Sequence, residues 1–198
     1  MLAAALAACS SLPQPPAVVE TYDFGPGPTA VAQERPVPRA PIVLARVQAS
    51  GLPDGTALRY RLAYANAQQP RPYGQSRWSQ PPADLLAQAL RRELGAHRAV
   101  LGPGAQGQMV AGTLPDVLRV DLEEFSQVFS TPEQSVGLVR VRASLAQGGA
   151  GGEQRRVQRV FVAQRPAATP DAAGGARALA EAAAQVAADV QVWLQQQP

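Results

Sequence analysis

One histidine, one cysteine and one adjacent pair of glutamates, Glu123-Glu124, are the side chains of this chain whose scarcity or spacing invites a chemical reading. His97 follows a leucine-rich segment that ends at Leu94-Gly95. A structural or catalytic metal takes three or four protein ligands, and there is no second histidine and no second cysteine to supply them. His97 therefore reads as a solvated residue at a helix end, where a protonated imidazole is favoured by the dipole. The Glu123-Glu124 pair could suggest an acid and a base. Neighbours along a strand point to opposite faces, so the two are expected on an exposed rim instead. The glycine runs at Gly102-Pro103-Gly104 and Gly148 to Gly152 lack the Lys-Ser/Thr ending of a phosphate loop. No Gly-x-Ser-x-Gly nucleophile elbow is present, although a serine triad built from distant positions stays open. The expectation is a non-enzyme: no catalytic, cofactor-binding or metal-binding residue is assigned.

Cys9 belongs to a different chemistry. Leu6-Ala7-Ala8-Cys9, followed by Ser10-Ser11, closes a short apolar run at the N-terminus. It resembles the lipobox of bacterial lipoproteins, which implies cleavage before Cys9 and acylation of that residue. Two or three acyl chains hold a protein at a bilayer durably, since one chain is marginal and each buried CH₂ adds about 0.8 kcal/mol. A secretory signal has a positive n-region before its apolar stretch. Residues 1–8 lack one and are read as the remnant of a signal whose start lies upstream. Residues 9–17 (CSSLPQPPA) are a Pro-rich lipidated tether, a semi-extended spacer. Residues 18–198 form one domain, in keeping with the usual size range.

Composition narrows the partners. All 18 basic residues are arginine, dispersed along the chain, and the net charge is +3. Nucleic-acid binding calls for a basic cluster on one face, so it is not expected. A hydrophobic fraction of 46% supports a real core. No run of 18 apolar residues exists to span a membrane.

Tyr73, Arg77 and Trp78 are the candidate partner interface. Tyr, Trp and Arg dominate interface energetics, and these three precede a helix rather than lying within one. The competing assignment is that Trp78 staples the helix start to the sheet while Arg77 pairs with a carboxylate, because a large aromatic beside a helix start usually packs inward.

The elements that position these residues follow from periodicity. Val18 to Phe24 reads as a first strand, stopped by Gly25-Pro26-Gly27-Pro28. Pro41 to Ala49 and Ala57 to Ala65 alternate as strands around a Gly51 to Gly55 turn, and residues 66–76 read as a polar connection. From Pro82 to Leu94 the period becomes helical, with Leu85, Leu86, Ala89, Leu90 and Leu94 on one stripe. Pro81-Pro82 suit its first turn and Gly95 its stop. A short strand is expected at Arg98 to Leu101. Leu118 to Phe129 alternates until Glu123-Glu124 breaks the phase, and a β-bulge there would re-aim Phe125 inward. Ser135 to Gln147 and Arg156 to Gln164 form a hairpin across Gly148 to Gly152. A last helix from about Pro170 to Gln195 starts on a Thr169 cap and carries Leu179, Ala183, Val186, Val190 and Trp193 as one stripe. The predicted class is α+β: a single mostly antiparallel sheet with two helices packed on one face.

Four segments together resemble the ABC-type transport auxiliary lipoprotein family, which includes the paraquat-inducible protein C lipoproteins. They are Thr21 to Pro26; Leu58 to Tyr64 with Tyr73-Gly74-Gln75-Ser76-Arg77-Trp78-Ser79-Gln80-Pro81-Pro82 and Leu85-Leu86; Leu118 to Phe125; and the Ala-rich helix ending in Val192-Trp193-Leu194. The Ser-Arg-Trp-x-x-Pro-Pro segment is the most specific. The resemblance implies a non-catalytic role in lipid transport across a Gram-negative envelope. The implied partners are an MCE-domain periplasmic protein and, indirectly, an ABC permease and ATPase. Ser10 after Cys9 resembles the sorting signal of outer-membrane lipoproteins, which places the chain at the periplasmic face of that membrane. The alternative is a structural or assembly lipoprotein of another envelope machine. A neighbouring gene for an MCE domain would separate the two.

Overall fold

The structure is a computed structural model, and it describes residues 18–27, 39–110, 112–147 and 155–197. The strands are β1 (Glu20–Tyr22), β2 (Ile42–Leu44), β3 (Gln48–Ala49), β4 (Ala57–Leu62), β5 (Ala67–Trp78), β6 (Val100–Leu101), β7 (Asp116–Phe129), β8 (Ser135–Gln147) and β9 (Arg155–Pro166). The helices are α1 (Ala63–Asn66), α2 (Pro82–Gly95) and α3 (Ala172–Gln195). All nine strands join one sheet.

β7 is its spine. Along one side it pairs antiparallel with β8, which pairs antiparallel with β9. Along the other it pairs in parallel with β2, then β3, then β4. β4 continues to β5 antiparallel, β5 to β1 in parallel, and β2 to β6 in parallel. The sheet is therefore mixed, which corrects the expectation of a mostly antiparallel one. The hairpin-type pairs are those that sequence adjacency suggests. The parallel pairs join segments far apart in the chain and need crossover connections, which no local pattern reveals.

Two bulges shape the spine. Leu122 opposes Val141 and Phe125 opposes Val139, with a register shift between Leu122 and Glu124. Both Leu122 and Phe125 are buried, so the two glutamates between them lie on the side of the sheet away from the core. The phase break at Glu123-Glu124 is thus a bulge that turns Phe125 inward, as expected. The opposite-faces expectation for the glutamates is corrected, because a bulge suspends strict alternation. The second irregularity was not anticipated. Leu44 pairs with Leu118 and Gln48 with Asp121. Four steps on one strand thus match three on the other, and the predicted strand Pro41 to Ala49 splits into β2 and β3 around Arg46.

Inward-facing strand residues and the helix stripes form one contiguous core. It includes Ile42, Leu44, Leu58, Leu118, Leu122, Val139 and Val141 from the sheet, Leu86, Leu90 and Leu94 from α2, and Leu179, Ala183, Val186, Val190 and Trp193 from α3. α3 lies against β7, β8 and β9, and α2 packs on α3. Glycine sets the closeness of the α3 approach: a Cβ on Gly137 of β8 would sit 2.6 Å from backbone atoms of Ala178 and Leu179. α2 starts as expected, with proline in its first turn. Gly95 is instead the last helical residue, and Ala96 takes the capping position in an αR conformation. At α3 the cap moves from Thr169 to Asp171, whose carboxylate accepts from the Gly174 amide at 2.8 Å and from the Thr169 hydroxyl at 2.7 Å. An ionised carboxylate suits a helix N-terminus better than a hydroxyl. The Gly174 amide, then the Thr169 hydroxyl, hold the Asp171 carboxyl below the ordinary aspartate range.

Candidate functional site

The segment 66–76, expected as a connection, is most of β5. It carries Tyr73, Arg77 and Trp78 on a strand flanked by β4 and β1. Thr21 aligns with Arg77 and Tyr22 with Trp78. The Trp78 amide donates to the Thr56 carbonyl at 2.7 Å, and the Ser79 amide to the Tyr22 carbonyl at 2.7 Å. Four residues later α2 begins, so β5 delivers Trp78 to the strand–helix junction.

The Trp78 indole is 1% exposed. It meets Phe24 edge-on at 5.8 Å and Phe125 edge-on at 5.4 Å, while Phe24 and Phe125 stack at 6.2 Å. Edge-to-face rings at these separations add stabilisation beyond their buried area. The side chain therefore holds the helix start against the sheet, the second of the two assignments made for it. Phe24 just after β1, Phe125 behind the bulge and Trp78 at the end of β5 come from three distant segments.

Tyr73 is half-buried five residues upstream. Its ring tilts against Tyr60 at 4.7 Å, and Tyr60 meets Phe129 at 6.0 Å. Its hydroxyl donates to Gln127 Oε1 at 2.8 Å, and Gln127 Nε2 donates to Ser135 Oγ at 2.8 Å. Burial, then the neighbouring Tyr60, raise the Tyr73 phenol above the ordinary tyrosine value, so it stays a donor. Gln127 is fully buried. Gly175 of α3 lies directly over it: a Cβ there would fall 2.0 Å from Gln127 Oε1. Tyr73, Gln127 and Ser135 thus form a buried polar chain beneath the first turn of α3. Gln127 was missed in sequence, although a signal exists: it interrupts the inward series Phe125, Gln127, Phe129 with an amide.

Arg77 points the other way. It is exposed and carries no ion pair or hydrogen bond among the described residues, so the carboxylate partner considered for it is not found there. Within the predicted trio, Tyr73 and Trp78 face inward and Arg77 faces solvent.

The remaining candidates separate in space. His97 lies just past α2 with Nε2 3.7 Å from Glu93 Oε1, both side chains open to solvent. Glu124 receives two contacts from Arg61, at 3.0 and 3.4 Å, and Glu123 pairs with Arg142 at 2.8 Å. Each glutamate is matched by its own arginine across the sheet. Among the described residues no group of three His, Cys, Asp or Glu side chains is placed to hold a metal ion. No described helix is long and apolar enough to cross a membrane. Cys9, the signal remnant 1–8, the tether 9–17 and the Gly148 to Gly152 loop lie outside the described residues.

The architecture is an α+β domain in which a long bulged strand, backed by an Ala-rich C-terminal helix, locks an aromatic strand–helix junction. The chain belongs to the family of ABC-type transport auxiliary lipoprotein components, whose model matches residues 22–191. A solved structure of a Xanthomonas campestris protein is similar in fold, with a TM-score of 0.64 and 20% identity, covering 89% of this chain and 90% of that one. A second, of an uncharacterized protein, has a TM-score of 0.62 and 14% identity, covering 89% of this chain and 99% of that one. No curated protein matches the sequence.

Proposed function

We propose that this chain is the non-catalytic, lipid-anchored subunit of an MCE-type ABC lipid transport system, held at the periplasmic face of the outer membrane through Cys9. In this role it docks the periplasmic assembly to the membrane. The observation that carries the reading is the match of residues 22–191 to the auxiliary lipoprotein family. The lipobox-like Leu-Ala-Ala-Cys at residues 6–9 supports the anchor, and the family description supports association with the cell envelope and an ABC transport system. The docking surface is assigned to the solvent side of β5 around Arg77. Trp78 and Tyr73 act from beneath by fixing that strand's position. The test is capture of the lipoprotein from detergent-solubilised envelopes, with proteins and lipids identified by mass spectrometry. Recovery of an MCE-domain protein with a permease is the expected result. Recovery of an unrelated machine would move the chain to the assembly-lipoprotein alternative.

A further inference from the structure

β9 lies at an edge of the sheet. Its 12 residues pair with β8 without a register shift, and no other described strand pairs with it. The phase of the ladder fixes which backbone groups stay open. The Ala167 amide donates to the Ser135 carbonyl at 2.9 Å, one step beyond the aligned pair Val136 and Pro166. Bonded and non-bonded pairs alternate along an antiparallel ladder. Phe161, Ala163 and Arg165 therefore bond to β8, while Gln158, Val160, Val162 and Gln164 turn their amides and carbonyls outward. Pro166, which has no amide to offer, takes the next outward place, where an edge tolerates proline. An open row of donors and acceptors is a template for a further strand.

Edges are commonly blunted by prolines, bulges or charges, and the stretch Val160 to Ala163 carries none of these. Val160 is 42% and Val162 50% exposed, on the face away from the core. On the opposite face Phe161 and Ala163 are buried, and Phe161 meets Trp193 of α3 at 5.8 Å. A groove of about 400 Å³ runs between this edge and α3, lined by Phe161, Val162, Val192 and Trp193 among others. Val192 is 52% exposed there. A strand added to β9 would send alternate side chains into this groove and over Val160 and Val162. Strand addition draws its affinity from backbone bonds and its specificity from such pockets. Charge selects the strand. Arg159 and Arg165 flank the uncharged stretch on the α3 side, and β9 has no acidic residue. Arg159 lies 5.4 Å over the Phe161 ring and forms no ion pair among the described residues. Arg165 donates to Gln185, a neutral amide. Asp189, the carboxylate lining the groove, accepts from Gln185 Nε2 at 2.8 Å. A second copy of β9 would bring the arginines of both copies into one seam, and like charges facing across strands are destabilising. An acidic strand meets opposite charge instead. We propose that the open edge of β9 takes an extended acidic segment of another polypeptide as an additional strand. Its apolar side chains would rest on Val160, Val162 and Val192, and its carboxylates on Arg159 and Arg165.

The test titrates the full chain with two end-blocked peptides, followed by heteronuclear NMR and amide hydrogen exchange. One is Glu-Thr-Val-Val-Leu-Val-Glu, whose glutamates match the spacing of Arg159 and Arg165. The other has lysine at both ends. The expected result is saturable binding of the glutamate peptide, with slowed exchange of the Val160 and Val162 amides and weakening as salt is raised. The lysine peptide should bind at least about tenfold more weakly, because it replaces opposite charges by like ones. Arg159→Glu, at an exposed position, should reverse that preference and leave the rest of the amide spectrum unchanged. Val162→Pro removes an outward amide without touching the bonds to β8 and should abolish binding of both peptides. Arg177→Gln, on the exposed face of α3, should change nothing. Equal affinity for the two peptides would overturn the acidic partner. Binding without slowed exchange at Val160 and Val162 would overturn strand addition, and absence of binding would remove the site. Slowed exchange of those amides that rises with protein concentration in the absence of peptide would give the edge to a second copy instead. These readouts need no transport partner, so they stand or fall independently of the transport role.

Discussion

Trp78 and Tyr73 lie five residues apart on β5 and hold it in place by different physics. Trp78 works by volume, filling the space between Phe24 and Phe125 at the start of α2. Truncating a buried tryptophan to alanine typically costs about 3–5 kcal/mol, so Trp78→Ala should lower the urea midpoint sharply. A variant with unchanged stability that lost only partner binding would instead put the indole at an interface. Tyr73 works by a hydrogen bond. Tyr73→Phe leaves Gln127 Oε1 buried without its donor, a loss of about 1–3 kcal/mol. The pH dependence carries a definite sign. The folded state raises the Tyr73 phenol above its unfolded value of about 10. Its contribution is therefore complete below about pH 10 and is lost as pH rises past that value toward the folded one. Urea denaturation at about pH 9 and about pH 11 should show wild type losing more stability than Tyr73→Phe. Equal losses would show that Tyr73 does not titrate differently in the folded state.

At the scale of elements, close approach depends on glycine. Gly137 sits beneath α3, where an added methyl would meet helix backbone rather than a movable side chain. Gly137→Ala must push α3 off β8, and overpacking of this kind costs about 1–3 kcal/mol. A thermal melt measures it, and an unshifted midpoint would mean that α3 floats on the sheet. The two bulges differ in how they announce themselves. At Glu123-Glu124 charged residues break an apolar phase, so the register change is visible in sequence. Around Arg46 the series Val43, Ala45, Val47 runs through without interruption, and the slip exists only relative to Leu118 and Asp121 of the distant β7. β5 was missed for a related reason. Its Gln68 to Gln75 half is polar and contains Pro70 and Pro72, which argue against a strand. Yet β1 pairs only with Ser76 to Trp78. The prolines fall where one edge of β5 is unpaired by β1, and a missing amide donor is tolerated.

On the scale of the whole molecule, the proposed anchor residue Cys9 precedes the residues matched by the family model. Cys9→Ser removes the thiol that would carry lipid. In a bacterial host with lipoprotein processing, fractionation should find wild type with the membranes and Cys9→Ser with the soluble periplasmic fraction. Membrane association that survives the substitution would assign attachment to the domain itself. Sequence by itself determined what is local. The β8–β9 hairpin, the α2 stripe with its prolines and the long α3 stripe all rest on spacing within a few residues. The resemblance in Ser-Arg-Trp-x-x-Pro-Pro was local too. Tertiary structure alone decided that the sheet is mixed, that Trp78 is core while Arg77 is surface, and that Tyr73 reaches Gln127. It also decided that Phe161, Val162 and Val192 share one groove. Each of these depends on pairing between segments tens of residues apart. Such pairing is chosen by the free energy of the assembled core and not by any segment's own periodicity.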